Sequence, residues 1–98
     1  RTEAAWRAAC EAIAARDPHC RGVVVLGLDA PAEELEASFA LAARQPLVKG
    51  FAVGRTIFAD AARAWFAGTL ADDQAVARMA DRFRALCDAW DRARQPKD

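Results

Sequence analysis

The run Val23-Val-Val-Leu-Gly-Leu28 constrains the fold of this chain more than any other segment, because it is apolar without alternation. A strand with one wet face alternates apolar and polar residues, whereas a parallel strand covered on both faces does not. A second strand is expected over residues 48–53. Between the two lies a helical stretch, residues 31–44, with Leu35, Phe39 and Ala42 on one stripe. Strand, helix and strand in that order make a βαβ unit with parallel strands and a right-handed crossover. A ligand site in such a unit lies at the C-terminal ends of the strands.

The flanking segments read as helices. Residues 2–16 carry Trp6, Ala9, Cys10 and Ile13 at spacings of three and four, and Asp17-Pro18 ends the pattern. Pro31, with Glu33 and Glu34 just after it, suits the start of the crossover helix, and Gln45-Pro46 stops it. A short helix over residues 57–67 carries Ile57, Phe58, Ala61, Ala62, Trp65 and Phe66, and Gly68 is its natural C′ residue. Thr69-Leu-Ala-Asp72 resembles a capping box for a long helix over residues 70–94, on which Val76, Met79, Phe83, Leu86, Cys87 and Trp90 recur at three and four. The expected class is α/β, with two parallel strands and four helices in a single unit spanning residues 1–98, the last few being a frayed tail.

Composition narrows the function. Fourteen Lys plus Arg balance fourteen Asp plus Glu, interspersed along the helices, so no basic face is set up for nucleic acid. No apolar run approaches the ~18 residues of a membrane span, and no leader pattern is present at Arg1, which points to a cytoplasmic segment of a longer protein. Cys10, Cys20 and Cys87 lie far apart with no C-x-x-C pair, which indicates neither a disulfide framework nor a metal site. Cys10 and Cys87 read as small core residues, and Cys20 beside His19 as a loop thiol rather than a nucleophile with its base. No cofactor is expected.

The chemistry concentrates in Phe51-Ala-Val-Gly-Arg-Thr-Ile-Phe58. A strand that stops at Gly54 brings backbone N–H groups close to an anion, the next helix adds its positive end, and Arg55 forks onto phosphate oxygens. The alternative is a Gly that serves a turn, followed by an exposed Arg. Asp29 ends the first strand on the same rim, either as a carboxylate for a sugar hydroxyl or for proton transfer, or as a turn residue before a helix. Lys49 falls at the opposite, N-terminal end of its strand and is not assigned as a Schiff-base amine. Trp65, Phe66 and Trp90 read as packing residues.

Val23-Val-Val-Leu-Gly-Leu-Asp-Ala-Pro31, Lys49-Gly-Phe-Ala-Val-Gly-Arg-Thr-Ile-Phe58 and the Trp90-Asp-Arg-Ala-Arg94 ending resemble one family. It is the C-terminal domain of unknown function fused behind a bacterial sugar kinase of inositol catabolism, 5-dehydro-2-deoxygluconokinase. That domain is similar to class I aldolases of the tagatose-bisphosphate type. The resemblance implies the C-terminal portion of a TIM (β/α)8 barrel, with residues 23–28 and 48–53 as its last two strands. It puts Gly54 and Arg55 in the phosphate loop, with Gly27 opposite as a further backbone donor.

The implied ligand is a phosphorylated sugar or keto-acid such as 6-phospho-5-dehydro-2-deoxygluconate, and the implied reaction an aldolase-type cleavage. The Schiff-base Lys of such aldolases sits on the strand before residue 1, so no catalytic residue is expected here beyond Asp29, and the chain alone is expected to be inactive. Two strands cannot close a barrel. The expected partners are therefore the rest of the parent polypeptide, kinase domain and upstream barrel together, or a second copy of this chain. The alternative role is a non-catalytic module that senses a phosphosugar or oligomerises the kinase.

Overall fold

A computed structural model of the chain describes residues 2–28 and 30–95. Helix α1, Glu3–Arg16, starts where the Thr2 hydroxyl accepts from the Ala5 N–H at 3.1 Å and stops at Asp17, whose carboxylate turns the chain by accepting from the His19 N–H. Strand β1, Val23–Leu26, leads through a turn into α2, Ala32–Ala42. Strand β2, Val48–Ala52, is followed by α3, Arg55–Phe66, and α4, Asp72–Arg94. The element order is the expected one, and the two strands pair parallel.

Helix α2 is shorter than the expected 31–44 and β2 stops one residue before 53, and three further boundaries differ for local reasons. Strand β1 ends before Gly27 and Leu28, because Leu28 takes a left-handed conformation with φ of 49° and the Ala30 N–H closes a turn onto the Gly27 carbonyl. Helix α3 starts two residues earlier than its apolar stripe suggests, since Gly54 serves as the residue before the first turn. Thr69 does not cap α4. Its hydroxyl donates back to the Ala64 carbonyl at 3.0 Å and closes α3, while Gly68, at φ of 79°, is the left-handed residue foreseen there.

Helix α4 instead begins behind Ala71, in the extended conformation that a capping residue adopts. Gln74 reaches back to accept from the Ala71 N–H at 3.0 Å, but a methyl group has no oxygen to return to the first-turn amides. Ala71→Asp is therefore expected to stabilise the fold by about 1 kcal/mol. Thermal unfolding should show the midpoint rising by roughly 5 °C.

The core lies on one face of the sheet. Leu35, Phe39 and Ala42 of α2 meet Val25 and Val48 of the strands and Leu86, Ala89 and Trp90 of α4. Phe39 sits at its centre, with ring centroids 4.9 Å from Phe51 and 5.4 Å from Trp90, the latter edge-on. Cys10 is buried, whereas Cys87 is only half-buried. The pairing carries a bulge, in which Val23 is opposite Val48 but Val24 is opposite Gly50, leaving Lys49 as the extra residue.

The expectation that β1 is covered on both faces is corrected. Val25 is buried, but Val24 is 50% and Leu26 58% exposed. With two strands and a core on one side only, the other side of the sheet faces outward. Phe66 and Trp65 are likewise 80% and 44% exposed and pack edge-on against each other rather than in the core, while Trp90 is buried as foreseen. An α/β arrangement of two parallel strands and four helices is compatible with part of a barrel.

Candidate functional site

The C-terminal ends of the two parallel strands share one rim. A cavity of about 260 Å³ opens there, lined by Leu26, Gly27, Leu28, Ala52, Gly54, Arg55, Thr56 and Phe58. Gly27, Gly54 and Arg55, three positions singled out from sequence, thus come together. Asp29, the fourth, lies outside the described residues.

Each part of the rim has a local reason. Gly27 is buried, and a β-carbon there would sit 3.0 Å from a Val53 methyl and 3.4 Å from the Thr56 hydroxyl, so the two turns approach closely only because Gly27 has none. Gly54 carries the chain from β2 into α3, and its carbonyl accepts from the N–H groups of Ile57 and Phe58 at 2.8 and 3.1 Å. Arg55 is the first residue of the helix and is exposed. The first amides of a helix have no intrahelical acceptor, and the helix dipole makes this end positive.

Sequence reading missed Thr56. Its hydroxyl donates to the Ala30 carbonyl at 2.7 Å and so ties the start of α3 to the loop after β1. That bond fixes the two halves of the rim, yet it spans residues far apart in the chain, and a Thr in a first turn gives no sign of it.

The start of α3 also differs from the other helices. Glu3 opens α1, Glu33 and Glu34 open α2, and Asp72 and Asp73 open α4, each complementing the dipole. No acidic residue stands in the first turn of α3. There the first side chain is a guanidinium, which opposes the dipole unless an anion binds both.

Larger hollows lie elsewhere, among them one of about 660 Å³ where Arg44, Arg92 and Arg94 share the lining with Glu36. A groove of about 530 Å³ runs between α1 and β1, walled chiefly by Trp6, Val24, Leu26 and Leu35. A cleft of about 570 Å³ lies between the start of α2 and helices α3 and α4. In that cleft Asp60 accepts from Arg63 at 3.1 Å and from Arg82 at 2.9 Å. The hydrogen bond and charge of Arg82 hold the Asp60 carboxyl below its usual range, with Arg63 adding to the effect. Glu33 and Glu36 also line this cleft and disfavour an anion. The groove is apolar and lacks converging donors. Arg55 and Thr56 line both the cleft and the small rim, and the rim is the better anion site because the described residues lining it include no carboxylate.

The remaining sequence candidates do not gather there. Lys49 is exposed near Gly22, at the opposite end of the strands, as expected. Cys20 directs its thiol to the Gly22 carbonyl at 3.6 Å. Among the described residues no group of three His, Cys, Asp or Glu is placed to hold a metal ion, and no helix is long and apolar enough to cross a membrane.

A family model described as "uncharacterized protein conserved in bacteria (DUF2090)" matches residues 1–94. No curated protein and no solved structure matches the chain.

Proposed function

We propose, from the premise that this chain belongs to the DUF2090 family of uncharacterized bacterial proteins, that it supplies the phosphate-binding rim of an aldolase-like α/β barrel. The ligand class is a phosphorylated keto-sugar or keto-acid, 6-phospho-5-dehydro-2-deoxygluconate being the compound suggested by the resemblance to the domain fused to 5-dehydro-2-deoxygluconokinase. The observation that carries this reading is the convergence of Gly27, Gly54 and Arg55 on one cavity at the C-terminal ends of parallel strands. Phosphate sites in barrels are commonly built from the loops after the last two strands.

The size of the cavity supports a head-group role. Complete small-molecule sites run to roughly 300–1,000 Å³, and the rim, at about 260 Å³, falls just short of that range. A phosphoryl group fits there while the carbon chain of the substrate extends beyond it. Arg55 and the backbone of Gly27 and Gly54 bind and orient the phosphoryl group in this reading. The second reading is a domain that senses a phosphosugar without cleaving it.

Titration of the 98-residue chain with inorganic phosphate tests the site. Backbone amide resonances of Gly54 and Thr56 are expected to shift saturably, and sulfate should compete. Shifts spread evenly over the arginines of α4 would overturn the assignment. Borohydride trapping of the full-length parent with its substrate separates the two readings, since only the lyase leaves a covalent adduct.

A further inference from the structure

The loop after β1 holds a strained residue that its own side chain does not secure. Leu28 takes a φ of 49°, a left-handed conformation that a bulky residue adopts at a cost and keeps only where its surroundings hold it. Its side chain is 77% exposed, so burial of that side chain is not what holds it. The backbone on either side is tied instead. The Ala30 N–H donates to the Gly27 carbonyl at 2.9 Å, and the Ala30 carbonyl accepts from the Thr56 hydroxyl at 2.7 Å. At Gly27 the same turn lies against α3, where even a β-carbon would come within 3.4 Å of the Thr56 hydroxyl oxygen. Thr56 lines the rim beside Gly27 and Leu28, but its single hydroxyl proton is committed to Ala30.

We infer that Thr56 is the positioning residue of the rim. Its bond to Ala30 holds the turn over residues 27–30 against the start of α3, so that one phosphoryl group meets backbone from the ends of both strands. The inference deepens the phosphate reading of the rim and rests on it. With its proton committed, the hydroxyl donates nothing to the ligand, so Thr56 acts through the turn and not by contact. Without the bond the turn is released from α3, and Leu28 relaxes toward the ordinary backbone regions. Apparent affinity then falls by the fraction of chains in which the binding arrangement is populated. The coupling runs both ways, since a phosphate that requires the turn in place also holds it there.

Titration of the chain with inorganic phosphate, followed by nuclear magnetic resonance, compares Thr56→Val, which keeps the branched shape and removes the hydroxyl, with Thr56→Ser, which keeps the hydroxyl. In the unaltered chain the amide resonances of Gly27 and Leu28 are expected to shift with that of Gly54 and with one dissociation constant. In Thr56→Val that constant should rise about 3–10-fold, the Gly27 and Leu28 shifts being lost and the Gly54 shift retained. Thr56→Ser should restore both. Should Thr56→Val fail to fold, hydrogen exchange of the Ala30 amide in the unaltered chain decides, since saturating phosphate should slow it at least about threefold. No binding by the unaltered chain removes the phosphate reading and this inference with it. Binding that Thr56→Val leaves unchanged, a weakened variant in which Gly27 still shifts, a loss that Thr56→Ser shares, or an Ala30 amide indifferent to phosphate overturns this inference alone.

Discussion

Phe39→Ala is expected to cost about 3–5 kcal/mol and to leave the chain largely unfolded at 37 °C. The ring is fully buried and touches both other aromatic anchors of the core, Phe51 and Trp90. Removing it deletes apolar area and leaves a hole bounded by a strand on one side and a 23-residue helix on the other. Neither can collapse into the space without giving up its own contacts. A domain of this size has about 5–10 kcal/mol to lose, and this one buries only one face of its sheet. Thermal unfolding by circular dichroism should show the midpoint falling by roughly 15–30 °C, with Trp90 emission shifted to the red. Phe66→Ala, which truncates an exposed ring, is the control and should move the midpoint by no more than a few degrees. A similarly small change for Phe39→Ala would mean that the core is not centred on α2.

Arg55→Ala is expected to weaken binding of the phosphorylated substrate by the full-length parent about 10–100-fold, read as a higher KM, because charge-assisted bonds to phosphate contribute about 1.5–3 kcal/mol. An unphosphorylated analogue should bind the variant and the parent equally. The placement argues for this more than the residue type does. A cation at the first position of a helix opposes the dipole, and an anion bound at the start of α3 meets both the guanidinium and the positive end of the helix. Arg55→Lys should fall between the two, since an ammonium is a point charge that cannot fork onto two oxygens. Equal losses for both ligands would remove the phosphate role and leave Arg55 as a residue that positions the rim.

Much of the scaffold was legible because helices and strands advertise themselves by period. The stripe Leu35, Phe39 and Ala42 faces the core as expected, and Gly68 ends α3 in the left-handed conformation that only glycine adopts cheaply. The rim was legible in part, because Gly-Arg between a strand and a helix is a local signal. What escaped is what depends on distant partners. The bond from Thr56 to Ala30 joins positions 26 apart, and nothing near either residue announces it. The capping of α4 was misplaced because Thr69, a good capping residue by type, finds an acceptor in the preceding helix instead. The open face of the sheet was legible as well, since two buried-type strands by themselves leave an apolar face uncovered. An unbroken apolar run shows that both faces of a strand avoid water, but it does not say which chain provides the cover.

The bulge at Lys49 has a consequence for how β2 conveys its sequence to the core. A strand has a reading frame of two, so in a regular ladder Val48 and Phe51, three apart, would point to opposite faces. Both nonetheless pack with the core cluster. The extra residue shifts the frame between them, bringing Phe51 beside Val25 and leaving Gly50 opposite Val24 on the bare side. Lys49 is exposed, and its contribution is to be counted rather than to be a lysine. The aromatic centre of the core, the flatness of the open face and the position of Gly54 at the rim are all set in phase by that one residue.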